Sequence, residues 1–415
     1  MDMFKAISIN ILALCLMIPC PTLAAETPKW GNIVYANKSS AQAMDIYVPS
    51  SGSGPFPLII AIHGGAFMLG DKTGETASTV SAGLARGYAV ASINYRLSGE
   101  AKFPAQINDV KAAIRFLRAN STTYNIDPNR FATWGGSAGG NLAALAAVSF
   151  GVTELTDLSL GNPEISDRVQ AAIDQFGPIY FSTMDAEFAA LGQTPKMGAT
   201  NSSNSPETKY LGQTIGTAAA EPLVIAASPQ TYITADDPPF YVQHGTADRN
   251  IPITQSVNFS NELIAVLGAA NVTYEVIAGA GHGTSEFSSA ANLGKLLDFL
   301  DKTLSSTLPV VSQCTTFTSP VVNVPCVNVS GTIYQAKMNL ISTSPTMRFE
   351  VDKSSLQPNN LIPTEQCAVF PAPNTIDYLR INCLDLGDKH WASLQLVSTP
   401  NVIQFDLVDF AKTNP

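Results

Sequence analysis

The 415-residue chain is 45% hydrophobic and only 13% charged, which suits well-buried cores and argues against intrinsic disorder. Its formal charge of −10 argues against nucleic acid or an anionic membrane surface as partner, since both call for clustered Lys and Arg; a neutral substrate stays open. The length exceeds one ordinary core, so two domains are expected.

Residues 1–25 read as an export signal peptide, with one lysine in the first five positions, an apolar stretch over 6–18 and small residues for cleavage at 22–25. The apolar run is short for a membrane span and no later stretch approaches the required length. The mature protein is therefore expected to be secreted or periplasmic, with no stable membrane insertion.

From residue 26 to 307, strand-like and helix-like segments alternate. Continuous apolar runs at 58–63 and 88–93 suit central strands of a mostly parallel sheet, and further strands read at 130–134, 169–176, 240–244 and 272–277. Helices are predicted at 76–86, 104–119, 139–149, 253–267 and 290–304. The second of these opens on Pro104 and sets Ile107, Val110, Ile114 and Leu117 on one stripe. Such alternation implies an α/β fold with helices on both faces of the sheet. Residues 183–239 interrupt the rhythm with Gly, Ser, Thr, Asn and Pro, and are read as a partial lid over the C-terminal edge of the sheet.

After a short linker, residues 309–415 change to short alternating strands and contain an internal repeat. Gln313-Cys314 recurs as Gln366-Cys367, Cys326-Val-Asn-Val as Cys383-Leu-Asp-Leu, Tyr334–Ile341 as His390–Val397, and Met347–Val351 as Ile403–Leu407. Two stacked meanders forming a small all-β domain are expected. No cysteine lies between Glu26 and Gln313. The four that follow (Cys314, Cys326, Cys367, Cys383) read as two disulfides, paired within each copy as Cys314–Cys326 and Cys367–Cys383.

Chemistry concentrates in the first domain. Trp134-Gly-Gly-Ser137-Ala-Gly-Gly140 contains G-x-S-x-G between an apolar strand and an Ala-rich helix, the context of a nucleophile elbow. His63-Gly64-Gly65-Ala66-Phe67 follows a strand, and its glycines allow close backbone approach to a substrate. Gly64, Gly65 and the N–H of Ala138 are assigned to an oxyanion hole. His63 itself precedes the serine and is read as a brace for the loop. Among the four histidines, His282 lies in Gly279-Ala-Gly-His-Gly283 after a strand and is assigned as the base; Asp248, just past the strand 240–244, is assigned as the acid. Asp236 and Asp237 are rivals that precede that strand. His244 reads as a strand-end structural residue and His390 as a partly exposed one.

Together with these motifs, Asn94-Tyr-Arg-Leu-Ser98, Phe103-Pro-Ala-Gln106, Asp109-Val-Lys-Ala-Ala113 and Asp237-Pro-Pro-Phe240 make residues 30–305 resemble bacterial carboxylesterases of the α/β-hydrolase fold. The resemblance is to the acetylxylan- and feruloyl-esterase-like branch, related to the hormone-sensitive-lipase group. It implies cofactor-free hydrolysis of short-chain or aromatic acyl esters, with acetyl or feruloyl groups on polysaccharide as natural substrates. Ala66 departs from the third glycine common in the family. A lipase, a prolyl-oligopeptidase-like peptidase, and a glycan- or surface-binding protein acting through the β domain, with Trp391 and Tyr378 as sugar-stacking candidates, are the rival readings.

Overall fold

The computed structural model describes residues 26–304 except Glu75, and in the remainder 315–318, 321–329, 332–343, 347–358, 368–370, 378–385, 389–397 and 403–412. The signal-peptide segment 1–25 lies outside the described residues. So do Cys314 and Cys367, and so do the side chains of Cys326, Cys383, Tyr378, His390 and Trp391. The chain divides into two compact units at Leu304/Ser305.

The first unit is built on an eight-stranded sheet. Its strands are β1 (Trp30–Val34), β2 (Ala43–Tyr47), β3 (Phe56–Ile62), β4 (Ala89–Ile93), β5 (Ile126–Gly136), β6 (Ala171–Gln175), β7 (Phe240–Gly245) and β8 (Val272–Ile277), in the order 1-2-4-3-5-6-7-8. β1–β2 and β2–β4 pair antiparallel, and every other neighbour is parallel. Strands covered on both faces need apolar residues in consecutive positions rather than alternation. β3 and β4 meet that condition, with Leu58, Ile59, Ile60, Ala89, Val90 and Ala91 all fully buried.

Two clusters of apolar side chains fill the two sides of the sheet. One includes the stripe of α2 (Ala105–Ala119), where Ile107, Val110, Ile114 and Leu117 are buried as their spacing predicts. The other packs Leu293, Leu296, Leu297 and Leu300 of α9 (Ala290–Leu304) under β3, β5 and β6. The chain order places α1 (Ala77–Ala85) between β3 and β4, and α3 (Ser121–Tyr124) and α4 (Ala138–Val148) on either side of β5. α5 (Met184–Ala190), α6 (Pro206–Leu211) and α7 (Glu221–Ala227) are the short helices of the irregular stretch, and α8 (Thr254–Leu267) leads from β7 to β8.

The second unit also holds eight strands: β9 (Thr315–Thr318), β10 (Val321–Val329), β11 (Thr332–Ser342), β12 (Arg348–Pro358), β13 (Ala368–Phe370), β14 (Tyr378–Asp385), β15 (Lys389–Leu396) and β16 (Gln404–Lys412). Each repeat copy folds as a meander, but the two copies do not stack as separate sheets, as the sequence led us to expect. β12 and β16 pair antiparallel, β13 pairs parallel with β10, and β10–β11 completes a ring of hydrogen-bonded strands. Closure explains the difference. Two separate meanders would each leave open edges, and one closed sheet leaves none in the ring. Equivalent residues of the copies meet at the β12–β16 seam, where Phe349 lies opposite Phe405, and both belong to the unit's apolar core.

Candidate active site

β5 ends at Gly136 and α4 begins at Ala138, so Ser137 alone makes the turn, with φ 56° and ψ −126°. A non-glycine residue there carries strain of order 1–3 kcal/mol, which the surroundings must offset. They do so through both backbone groups: Ser137 N–H donates to the Gln175 carbonyl at 2.9 Å, and its carbonyl accepts from Asn141 at 3.1 Å. The flanking glycines are required by space. A Cβ on Gly135 would stand 2.1 Å from the Gly139 carbonyl oxygen, and one on Gly139 would stand 2.2 Å from that of Ile62.

The structure brings Ser137, His282 and Asp248 together from three separate loops. His282 Nε2 lies 2.9 Å from Ser137 Oγ, and His282 Nδ1 lies 2.7 Å from Asp248 Oδ2. An ionised carboxylate only accepts, so Nδ1 carries the proton and the Nε2 lone pair faces the serine hydroxyl. Gly279 and Gly283, both at positive φ, bracket the loop that delivers the ring, and Phe176 meets its face edge-on at 4.8 Å. Asp237, the rival acid, closes a turn with Thr234 ahead of β7, and Asp236 pairs with Arg168. Both therefore sit at the opposite end of that strand from Asp248.

Asp248 is fully satisfied. Its Oδ1 accepts from the backbone of Asn250 (2.8 Å) and Ile251 (3.0 Å). Burial works to raise its pKa, but hydrogen bonds and charge interactions with His244 and His282 outweigh it and hold the carboxyl well below the usual range. His244 is thus more than a strand-end residue. Its Nε2 faces the Ile251 carbonyl at 3.1 Å and Asp248 Oδ2 at 3.3 Å, while its Nδ1 meets Ser256 Oγ at 2.7 Å. With two acceptors before it, Nε2 carries the proton and Nδ1 accepts from the serine. The signal for this contact was present in His244-Gly-Thr-Ala-Asp248, a histidine four residues before the acid.

Beneath the elbow, side-chain amides run in a buried chain. Trp134 donates to Gln175, Gln175 to Gln243, and Gln243 to Glu275 and Asn292. Asp174, beside Gln175 on β6, is fully buried. One of its oxygens accepts from Gly177 at 2.9 Å, and burial pushes its carboxyl up to about 7.

His63 is buried, stacks on Tyr95 with ring centroids 4.4 Å apart, and reaches the Gly64 carbonyl at 2.7 Å through Nδ1, a bracing position. Gly65 has φ 102° and its carbonyl accepts from Met68 and Leu69, which folds the loop over. Ala66 and Phe67 follow at φ 56° and 58°, conformations that glycine adopts freely and L-residues rarely do. Ala138, assigned to the oxyanion hole from sequence, lines the pocket at Ser137 and His282; Ala66 lines it too, whereas Gly64 and Gly65 are not among its lining residues. The irregular stretch contributes Met184, Met197, Gly198, Thr200, Pro206 and Glu207 to the same pocket. It is anchored by Tyr210, fully buried and stacked on Phe67 at 3.8 Å.

The BD-FAE family model matches residues 44–263. Among curated proteins, the chain is similar to the probable carboxylic ester hydrolase LipM of Mycobacterium tuberculosis, 31% identical over 56% of this chain and 51% of that protein. Esterase LipQ of the same organism is 33% identical over 54% and 50%. The chain thus spans about half the length of these relatives. Among solved structures, a truncated carbohydrate esterase from gut microbiota superposes with a TM-score of 0.62 at 32% identity, covering 69% of this chain and 99% of that one. A bifunctional GH43-CE protein of Bacteroides eggerthii gives 0.57 at 34% identity, covering 66% and 38%.

Proposed function

The chain belongs to the BD-FAE family, and from that premise we propose that it is an exported serine carboxylic-ester hydrolase acting through Ser137, His282 and Asp248. The observation that carries this reading is the position of the His282 ring, 2.9 Å from the Ser137 hydroxyl and 2.7 Å from the Asp248 carboxylate. His282 Nε2 takes the hydroxyl proton as Ser137 Oγ attacks the ester carbonyl. The backbone N–H groups of Gly64, Gly65 and Ala138 hold the resulting oxyanion. The alcohol leaves with the proton from His282, and water then attacks the acyl-enzyme with His282 again as base. Asp248 keeps the imidazole in the productive tautomer and stabilises its charged form.

Short-chain or aromatic acyl esters are the substrate class, with acetyl or feruloyl groups on polysaccharide as the natural targets. The pocket over Ser137 is lined mainly by apolar and small residues, Ala66, Phe67, Pro178, Met184 and Met197 among them, which suits a neutral acyl ester. The names of both solved relatives, carbohydrate esterase and GH43-CE, point the same way. The test is kcat/KM on nitrophenyl acetate, butyrate and octanoate and on methyl ferulate. Acetate, butyrate or ferulate is expected to lead; octanoate in the lead would make the protein a lipase, and no hydrolysis by folded protein would overturn the esterase reading.

Export is expected to go with two disulfides in the β unit, Cys314–Cys326 and Cys367–Cys383, one within each repeat copy. Peptide mapping without reduction is expected to recover these two pairs; recovery of Cys314 joined to Cys367 or Cys383 would overturn them.

A further inference from the structure

Two polar side chains at the pocket wall have no part in the acyl transfer described above. Glu207 lies in the first turn of α6 and is only 7% exposed, yet it lines the same pocket as Ser137 and His282. Asn250 lines it from the loop after β7, and its side-chain oxygen is buried without a hydrogen-bond partner. The rest of the wall is apolar or small apart from Thr200, and no lysine or arginine belongs to it. The Asn250 oxygen is an acceptor kept from water and without a partner, whereas the Glu207 carboxyl beside the same pocket already accepts from its own backbone N–H and from Ser205 and keeps further acceptor capacity.

We propose that Glu207 and Asn250 form a hydroxyl-recognition subsite, so that the preferred ester carries a free hydroxyl that reaches this wall of the pocket. This deepens the esterase reading and rests on it. A hydroxyl fits because it is neutral and donates: a carboxylate or phosphate would find no cation here and a carboxyl in its path. Burial pushes the Glu207 carboxyl up to about 7, so near neutrality it is present in both forms and can also donate. The hydroxyl can belong to the alcohol half, as on a sugar, or to the acyl half, as on a hydroxycinnamate.

Two matched pairs separate these sources: 2-hydroxyethyl acetate against propyl acetate, and methyl p-coumarate against methyl cinnamate. For wild type, kcat/KM is expected to favour the hydroxylated member of one pair by about tenfold or more, since a site built for a hydroxyl rejects the analogue that lacks it. The pair that discriminates identifies the source. In Glu207→Ala that ratio should fall to near unity, mainly through KM. Glu207→Gln, which keeps the size and an acceptor, should retain part of it and guards against misfolding as the explanation. Absence of preference in both pairs for wild type, or equal losses on both members in the variants, would overturn the subsite. Nitrophenyl acetate is the separate control: wild type that fails to cleave it defeats the esterase reading itself, and the subsite with it.

Discussion

Ser137→Ala is expected to lower kcat/KM on nitrophenyl acetate by roughly 10³–10⁶-fold while leaving thermal unfolding nearly unchanged. The size follows from what is removed. Without Oγ no acyl-enzyme forms, and hydrolysis must proceed by water held near the oxyanion donors. The small effect on folding follows from how the turn is held. Its strained backbone is fixed by the Gln175 and Asn141 contacts, both made by main-chain groups of residue 137 that alanine keeps. The hydroxyl's contact to His282 is functional rather than architectural. Turnover within about threefold of wild type would remove Ser137 from the mechanism.

Asp248→Asn should cost about 10⁴-fold in kcat by a different route. An asparagine can keep the two backbone hydrogen bonds of the acid through its oxygen, so the loop from Asp248 to Ile251 is expected to hold its shape. Its amide then presents a donor to His282 Nδ1. The ring must turn its lone pair toward that donor, which places the proton on Nε2, facing Ser137, where a base is needed. The same amide meets His244 Nε2, already a donor, so a second ring is unsettled at once. An Asp248→Asn enzyme with kcat near that of wild type would show that orientation of His282 comes from elsewhere.

Much of this site could be read from the chain because each part announces itself locally. The elbow needs glycines at fixed offsets from Ser137, and the base sits among glycines in a loop that follows a strand. Central strands are equally plain, since β3 and β4 are apolar along their length but for Ser92. β1 and β2 were not read individually. β1 is short and largely exposed, and β2 carries a buried charge, Asp45, which is met by Lys72 at 2.8 Å and by the Asn32 backbone N–H at 2.7 Å. The contents of 183–239 were likewise hidden. Pro206-Glu207-Thr208 opens α6, where Glu207 is buried at the pocket and Tyr210 stacks on Phe67, tertiary contacts that no local pattern announces. The contact of His244 with Asp248 was legible only as a spacing of four residues, since it depends on the chain folding back after β7, which no pattern of hydrophobicity encodes. In the β unit, two copies were visible but their closure was not, because parallel pairing joins residues far apart in sequence.

The seam between β12 and β16 restricts how the two copies can diverge. Phe349 and Phe405 are the same residue in both copies, and each faces its own counterpart across the pairing, in one shared core. A larger side chain on one strand takes its room from the twin position on the other. A change of size at either position is therefore best tolerated with a compensating change at the other.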